Sequence, residues 1–356
     1  MFGDNAFGTN IVCTDSYEGI YISTDSGVNW IEAVPPNAFG KLAVTADESG
    51  NFFVQDKTGQ IKSLSLAGTL TNVGTIPADY NPQGGFNQVL LKRNGLFVEG
   101  SVNGNSSSDN GATWYRSLNG YKSTAADPGV YMHSDQHQSG YLDAGFSFWN
   151  ANDGGLSFIT YANATDQTPT VEYKTNGVVV TQIYTISINP TSASNDDFMM
   201  ANQDNDGFSK EGGQWVSVLA GDGVCSAIDY ATPGIRYLGG TTGSLVRSDN
   251  TGFTGNYSGN DIPKPADAEF VWPFSLHTIT STTAFGGFDD LYKSTNISTT
   301  ASTDPNDVWT KLNAGVGNPI TFDNQGDYIA VVGKTGITRS INGGTSWTAL
   351  TQPTGQ

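Results

Sequence analysis

The sequence predicts an all-β fold, a single β-propeller of about eight four-stranded blades spanning residues 1–356, on three observations. A turn motif recurs along the chain, apolar strands recur at a spacing near 44 residues, and the composition suits short strands joined by tight turns. The composition is the simplest of the three. The chain holds 44 Gly and 14 Pro, is only 37% hydrophobic, and shows no long amphipathic helical stretch.

The motif reads Ser-x-Asp/Asn-x-Gly-x-x-Trp. It occurs at Ser23 to Trp30, Ser107 to Trp114 and Ser340 to Trp347, each time after a short apolar strand such as Gly19-Ile20-Tyr21-Ile22 or Gly336-Ile337-Thr338-Arg339. Asp25, Asp109 and Asn342 are expected to accept backbone N–H bonds within their own turns. The glycine takes a positive φ, and Trp30, Trp114 and Trp347 pack back over the turn. Degenerate copies lie at Asp249-Asn250-Thr251-Gly252, at Leu291 to Asn296 with an insertion before Val308-Trp309, and at Gly207 to Lys210 leading to Trp215. Two further strand pairs, Phe52 to Val54 with Gln60 to Ser63 and Phe146 to Phe148 with Gly155 to Phe158, lack the motif.

Laid out in this way, the units begin near residues 1, 41, 87, 131, 181, 224, 274 and 319. The first lacks a clear inner strand, so it either borrows residues 1–9 or leaves seven blades and a part. The repeated Ser-x-Asp-x-Gly-x-x-Trp turns resemble those of the Asp-box (BNR-repeat) propeller superfamily, which includes sialidases, sortilin-type receptors and xyloglucan-cleaving enzymes. The resemblance implies the fold; it implies little about function, because Asp boxes are structural turns on the face opposite the usual ligand site.

Charge narrows the partners. Sixteen Lys and Arg stand against 34 Asp and Glu, a net charge of −18, which repels phosphate backbones and anionic lipid. Nucleic acid and membrane insertion are therefore not expected. The start of the chain shows no signal-peptide pattern, and no apolar run is long enough to span a bilayer. Cys13 and Cys225 read as small buried strand residues and not as a disulfide pair. The sequons at Asn105, Asn163, Asn256 and Asn296 carry no inference in a chain so rich in Asn, Ser and Thr.

Alternating strand direction places the motif turns on one face, and the loops between second and third strands and between successive units on the other. That second face collects the acidic, Gly-rich segments Asn152 to Gly155, Asn202 to Gly207, Gly221 to Gly223 and Gly286 to Asp290. It also receives His133, Asp135 and His137, whose alternation on an inner strand would point all three side chains one way. Three readings of this corner stand side by side. His133, Asp135, His137 and Asp204 form a metal site; or these residues with Asp153, Gln203 and Asp222 bind a polar ligand; or the set is a satisfied structural network. The cation would be calcium if carboxylates and carbonyls dominate, or zinc if both imidazoles engage. The order of HxDxH, NDGG, QDN and GDG also resembles a subgroup of secreted BNR-repeat proteins called glycosyl-hydrolase-like by similarity.

Function is read on three levels. The first reading is a non-catalytic binding or adhesion module of an extracellular or virion surface, recognising a glycan or a protein through the acidic loop face. The second is a glycoside hydrolase using paired aspartates such as Asp135 and Asp204. A sialidase is not expected. Of Arg93, Arg116, Arg236, Arg247 and Arg339, none falls in the Arg-Ile-Pro signature, and Arg247 and Arg339 read as structural third-strand residues. The third reading is an architectural part of a larger extracellular or viral assembly.

Overall fold

The computed structural model describes residues 4–14, 19–34, 42–77, 81, 83, 86–121, 124–141, 145–193, 196–219, 221–248 and 259–351. Eight antiparallel sheets follow one another along the chain, at 4–34, 42–75, 89–131, 136–173, 182–219, 223–262, 274–311 and 319–350. Each is a four-stranded meander in chain order, and the third gains a short fifth strand, Val130–Tyr131, parallel to Tyr115–Asn119. The fold class is thus the expected one, a β-propeller of about eight blades. The first sheet does take its inner strand from the amino-terminal residues, as Asp4–Phe7 pairs with Asn10–Thr14. The insertion in the seventh unit carries a single helical turn, Pro305–Val308, whose start is capped by the Asp304 side chain. Among the described residues, no helix is long and apolar enough to cross a membrane.

Two compact units hold four sheets each, Met1–Val180 and Thr181–Gln356. Within each unit the strands alternate, so that one face of a sheet packs on the sheet before it and the other on the sheet after it. In the third sheet Phe97 and Leu90 join Phe53 and Ile61 of the second. Their neighbours Val98, Leu91 and Leu96 join Phe148 and Ile159 of the fourth. In the second unit Trp272, Phe288 and Trp309 centre an aromatic layer, with Trp272 and Phe288 stacked at 5.2 Å.

The three motif turns join third to fourth strands and share one hydrogen-bond pattern. Asp25 Oδ1 accepts from the Asn29 amide at 2.8 Å, Asp109 Oδ1 from Thr113 at 2.8 Å, and Asn342 Oδ1 from Ser346 at 2.9 Å. The serine hydroxyl that opens each turn accepts the glycine amide, from Gly27, Gly111 and Gly344. Those glycines sit at φ values of 87°, 87° and 89°. The indoles part company. Trp30 and Trp114 donate to their own turn glycine carbonyls at 3.0 Å, whereas Trp347 donates to Leu312 of the preceding sheet at 2.9 Å. The degenerate copy at 249–252 and the sequon at Asn256 lie outside the described residues.

Neither cysteine forms a disulfide. Cys225 is buried in the strand Gly223–Ile228, which pushes its thiol up, but Cys13 is only half-buried, a correction to the expectation for that residue. Arg236 and Arg247 are structural. Arg236 pairs with Asp197 at 2.6 Å, and Arg247 donates to the carbonyls of Ile297 and Thr300. Arg339 differs from Arg247 in being exposed, although both lie on third strands.

Candidate functional site

The expected single-faced His-x-Asp-x-His strand does not form. The inner strand of the fourth sheet is Gln136–Tyr141, so His133 and Asp135 precede it and only His137 lies on it. Asp135 takes a φ of 63°, which breaks the alternation that a strand would impose. The physical reason lies in its neighbours. Gln136 is pinned to the third sheet, its amide on the Ser101 carbonyl at 3.0 Å and its side-chain amide on Asn103 at 2.8 Å. The chain must then turn sharply at Asp135 to enter the strand.

The turn sends the Asp135 side chain inward. One oxygen accepts from Gln83 at 3.0 Å and Asn87 at 2.5 Å, and the other from Ser134 at 3.1 Å. Asp135 is 7% exposed. Burial, opposed by the Ser134 bond and joined by the charge of Asp153, raises its carboxyl above the ordinary value. His137 is exposed and pairs with Asp153, from the loop between second and third strands. That bond is the first cause of a raised His137 pKa, and the Phe86 backbone adds to it. His133 sets its Nδ1 3.2 Å from the Ser134 carbonyl. Its ring lies where any side chain on Gly154 would sit, which explains the second-to-last residue of Asn152-Asp153-Gly154-Gly155.

The first unit therefore brings four expected residues together, His133, Asp135, His137 and Asp153. Their negative charge is answered from within, by a histidine that favours protonation and by amide and hydroxyl donors. A cation would compete with those donors for the same oxygens. The sequence reading missed Gln83 and Asn87, which lie in a Gly- and Asn-rich segment about fifty residues away. It also passed over several exposed aromatic residues of this unit. Phe86 is 74% exposed and bonds to His137 through its backbone, Tyr121 is exposed just after the strand Tyr115–Asn119, and Tyr131 and Tyr173 stand 6.4 Å apart.

Gln203, Asp204 and Asp222 belong to the second unit. Tyr184 donates to Gln203 at 2.5 Å, and the Asp204 amide donates to Asp222 at 3.0 Å. Asp206 holds the Gly221 amide at 3.0 Å and the Ser217 hydroxyl at 3.1 Å, tying the loop to the last strand of its own sheet and the linker that follows. Burial, with Asp222 and Asp204 nearby, pushes the Tyr184 phenol up. The last acidic loop is structural. Asp290 caps the Leu291 and Ala314 amides, and Asp289 pairs with Lys311 at 2.6 Å.

No family model matches the sequence, and no curated protein resembles it in sequence. Solved structures do resemble it in shape. A GH74 xyloglucanase from Xanthomonas campestris is 12% identical, with a TM-score of 0.55 over 97% of this chain and 53% of that one. An ancestral GH74 enzyme is also 12% identical, with a TM-score of 0.50 over 96% of this chain and 56% of that one. The chain spans about half the length of these enzymes. At such identities the likeness establishes one thing, the β-propeller fold.

Proposed function

We propose that this protein is an Asp-box propeller, a single domain, that binds a glycan without cleaving it, through the loop face around His137. The observation that carries the reading is the exposed Phe86, whose backbone bonds to His137 of the His137–Asp153 pair. An aromatic face stacks on the C–H face of a sugar ring, while an imidazole and carboxylates bond to its hydroxyls. The acidic character of the chain favours a neutral or amino sugar over an acidic one. A position on an extracellular surface or a virion, a protein partner and a place in a larger assembly accompany this reading. Affinity electrophoresis against neutral and acidic polysaccharides tests it. Retardation by a neutral glycan, lost in Phe86→Ala and His137→Ala, is the expected result. Retention of full binding in both variants would overturn it.

One observation favours a hydrolase as a second reading. Asp135 has the raised carboxyl of a general acid, beside Asp153, whose partner His137 is held toward its charged form. Release of reducing sugar that disappears in Asp135→Asn would establish it. A divalent cation is a further proposal at the first-unit residues His133, Asp135 and His137. A thermal-shift series with calcium, zinc and a chelator decides whether the carboxylate binds calcium, both imidazoles bind zinc, or neither does.

A further inference from the structure

Glu99 is a lone acid in an otherwise apolar strand, Leu96–Gly100, and it is fully buried. It shares a face with Phe97, in the layer between second and third sheets. Four elements meet it there. Asn105 of the adjoining strand donates to its Oε2 at 2.8 Å, Leu90 lies opposite on the inner strand, and Gln55 and Ser101 flank it. Its Oε1 makes no well-formed hydrogen bond. The charged groups along this layer are Lys92 and Arg116. The Lys92 ammonium sits 4.1 Å from the Phe97 ring centre and bonds to Asn110 at 2.7 Å, and Arg116 is in register with Asn105. Neither is among the causes acting on Glu99. Burial dominates, opposed only by Asn105, Ser101 and Gln55, and pushes the carboxyl up to about 8.

The next two residues hold the site loop. Gly100 backs directly on the Gln136 side chain, and the Ser101 carbonyl accepts the Gln136 amide at 3.0 Å. Gln136 follows Asp135. We infer that Glu99, seated as a neutral acid between the second and third sheets, is a protonation-controlled clamp on the Ser101–Gln136 junction and thereby a positioning residue for Asp135. Loss of its proton to bulk water leaves a fully buried carboxylate opposed only by Asn105, Ser101 and Gln55. The layer then relieves the charge by opening toward water at its loop end.

The sign follows from the folded value lying above the ordinary 4.5. The stabilising contribution is complete below 4.5, declines as only the unfolded chain ionises, and is gone above about 8. The test needs no ligand, so its failure is separate from failure of the glycan reading. Hydrogen exchange of the Gln136 amide, corrected for base catalysis, is followed from pH 6 to 9.5 in the wild type and in Glu99→Gln. From pH 6 to about 8 the wild-type opening constant is expected to rise roughly tenfold per pH unit and then to level off, while the variant stays flat throughout. Equal slopes in the two proteins would overturn the clamp. Should Glu99→Gln not fold, carboxyl-carbon NMR of the glutamate-labelled wild type serves instead. One resonance titrating near 8 supports the inference, and titration of every glutamate in the ordinary range refutes it.

Discussion

Asp109 and Asp135 belong to the same unit, both bond to donors close at hand, and their carboxyls move in opposite directions. Asp109 is solvent-facing in its turn, where the Thr113 hydroxyl and then the Thr113 amide hold it down to about 2. Asp135 is buried behind Gln83 and Asn87, and desolvation carries it upward. The difference teaches that hydrogen-bond number alone does not set an acid's state. A charge bonded in water is stabilised, whereas one bonded out of water still carries the cost of leaving it.

The sharpest way to break the comparison is on binding. His137→Ala should weaken glycan binding at least tenfold and leave the unfolding midpoint unchanged, because His137 is exposed. A parallel loss of both would make the pair structural, like the turns. Asp135→Ala is next. It strands the donors of Gln83, Asn87 and Ser134, and should cost about 1–3 kcal/mol in urea unfolding. A neutral outcome would mean that those amides find other partners. Asp109→Ala removes the Thr113 and Ser107 bonds of one exposed turn. It should lower the thermal midpoint by about 1–3 °C without touching binding. The smallest effect is in acid. The Asp109 contribution is present above its ordinary 3.8 and lost as pH falls through about 2. Asp109→Asn should therefore unfold like the wild type at pH 2 and differ slightly at pH 5. Identical curves at both values would deny the turn its charge-dependent part.

The fold was legible because its signals are local. Each turn is specified within eight residues, and the spacing of the turns and apolar strands marks the sheets. The predicted start near 131 comes at 136, because Val130–Tyr131 pairs back onto the third sheet. The site was legible only in part. His137 and Asp153 were recoverable from loop topology, since both fall at loop-face ends of the fourth sheet's strands. The His133–Asp135–His137 alternation misled, because a non-glycine residue at positive φ leaves no mark in a pattern of residue types. Gln83 and Asn87 reach Asp135 across 52 and 48 residues, and no periodicity encodes such a bond. Glu99 did leave a signal. An acid inside Leu-Phe-Val-Glu-Gly, a strand buried on both faces, is out of place unless it is neutral or paired.

The parting of the three motif indoles gives the protein a built-in optical gauge. Trp30 is 43% exposed and bonded within its own turn, so its emission should be red-shifted and indifferent to events elsewhere. Trp347 is tethered to Leu312 and packs with Phe322 on the layer between the seventh and eighth sheets. If those two sheets separate, its indole loses a carbonyl partner and meets water while the turn around Asn342 stays whole. Fluorescence from a variant keeping Trp347 as its single tryptophan of the seven would then register the parting of sheets before any backbone signal changes.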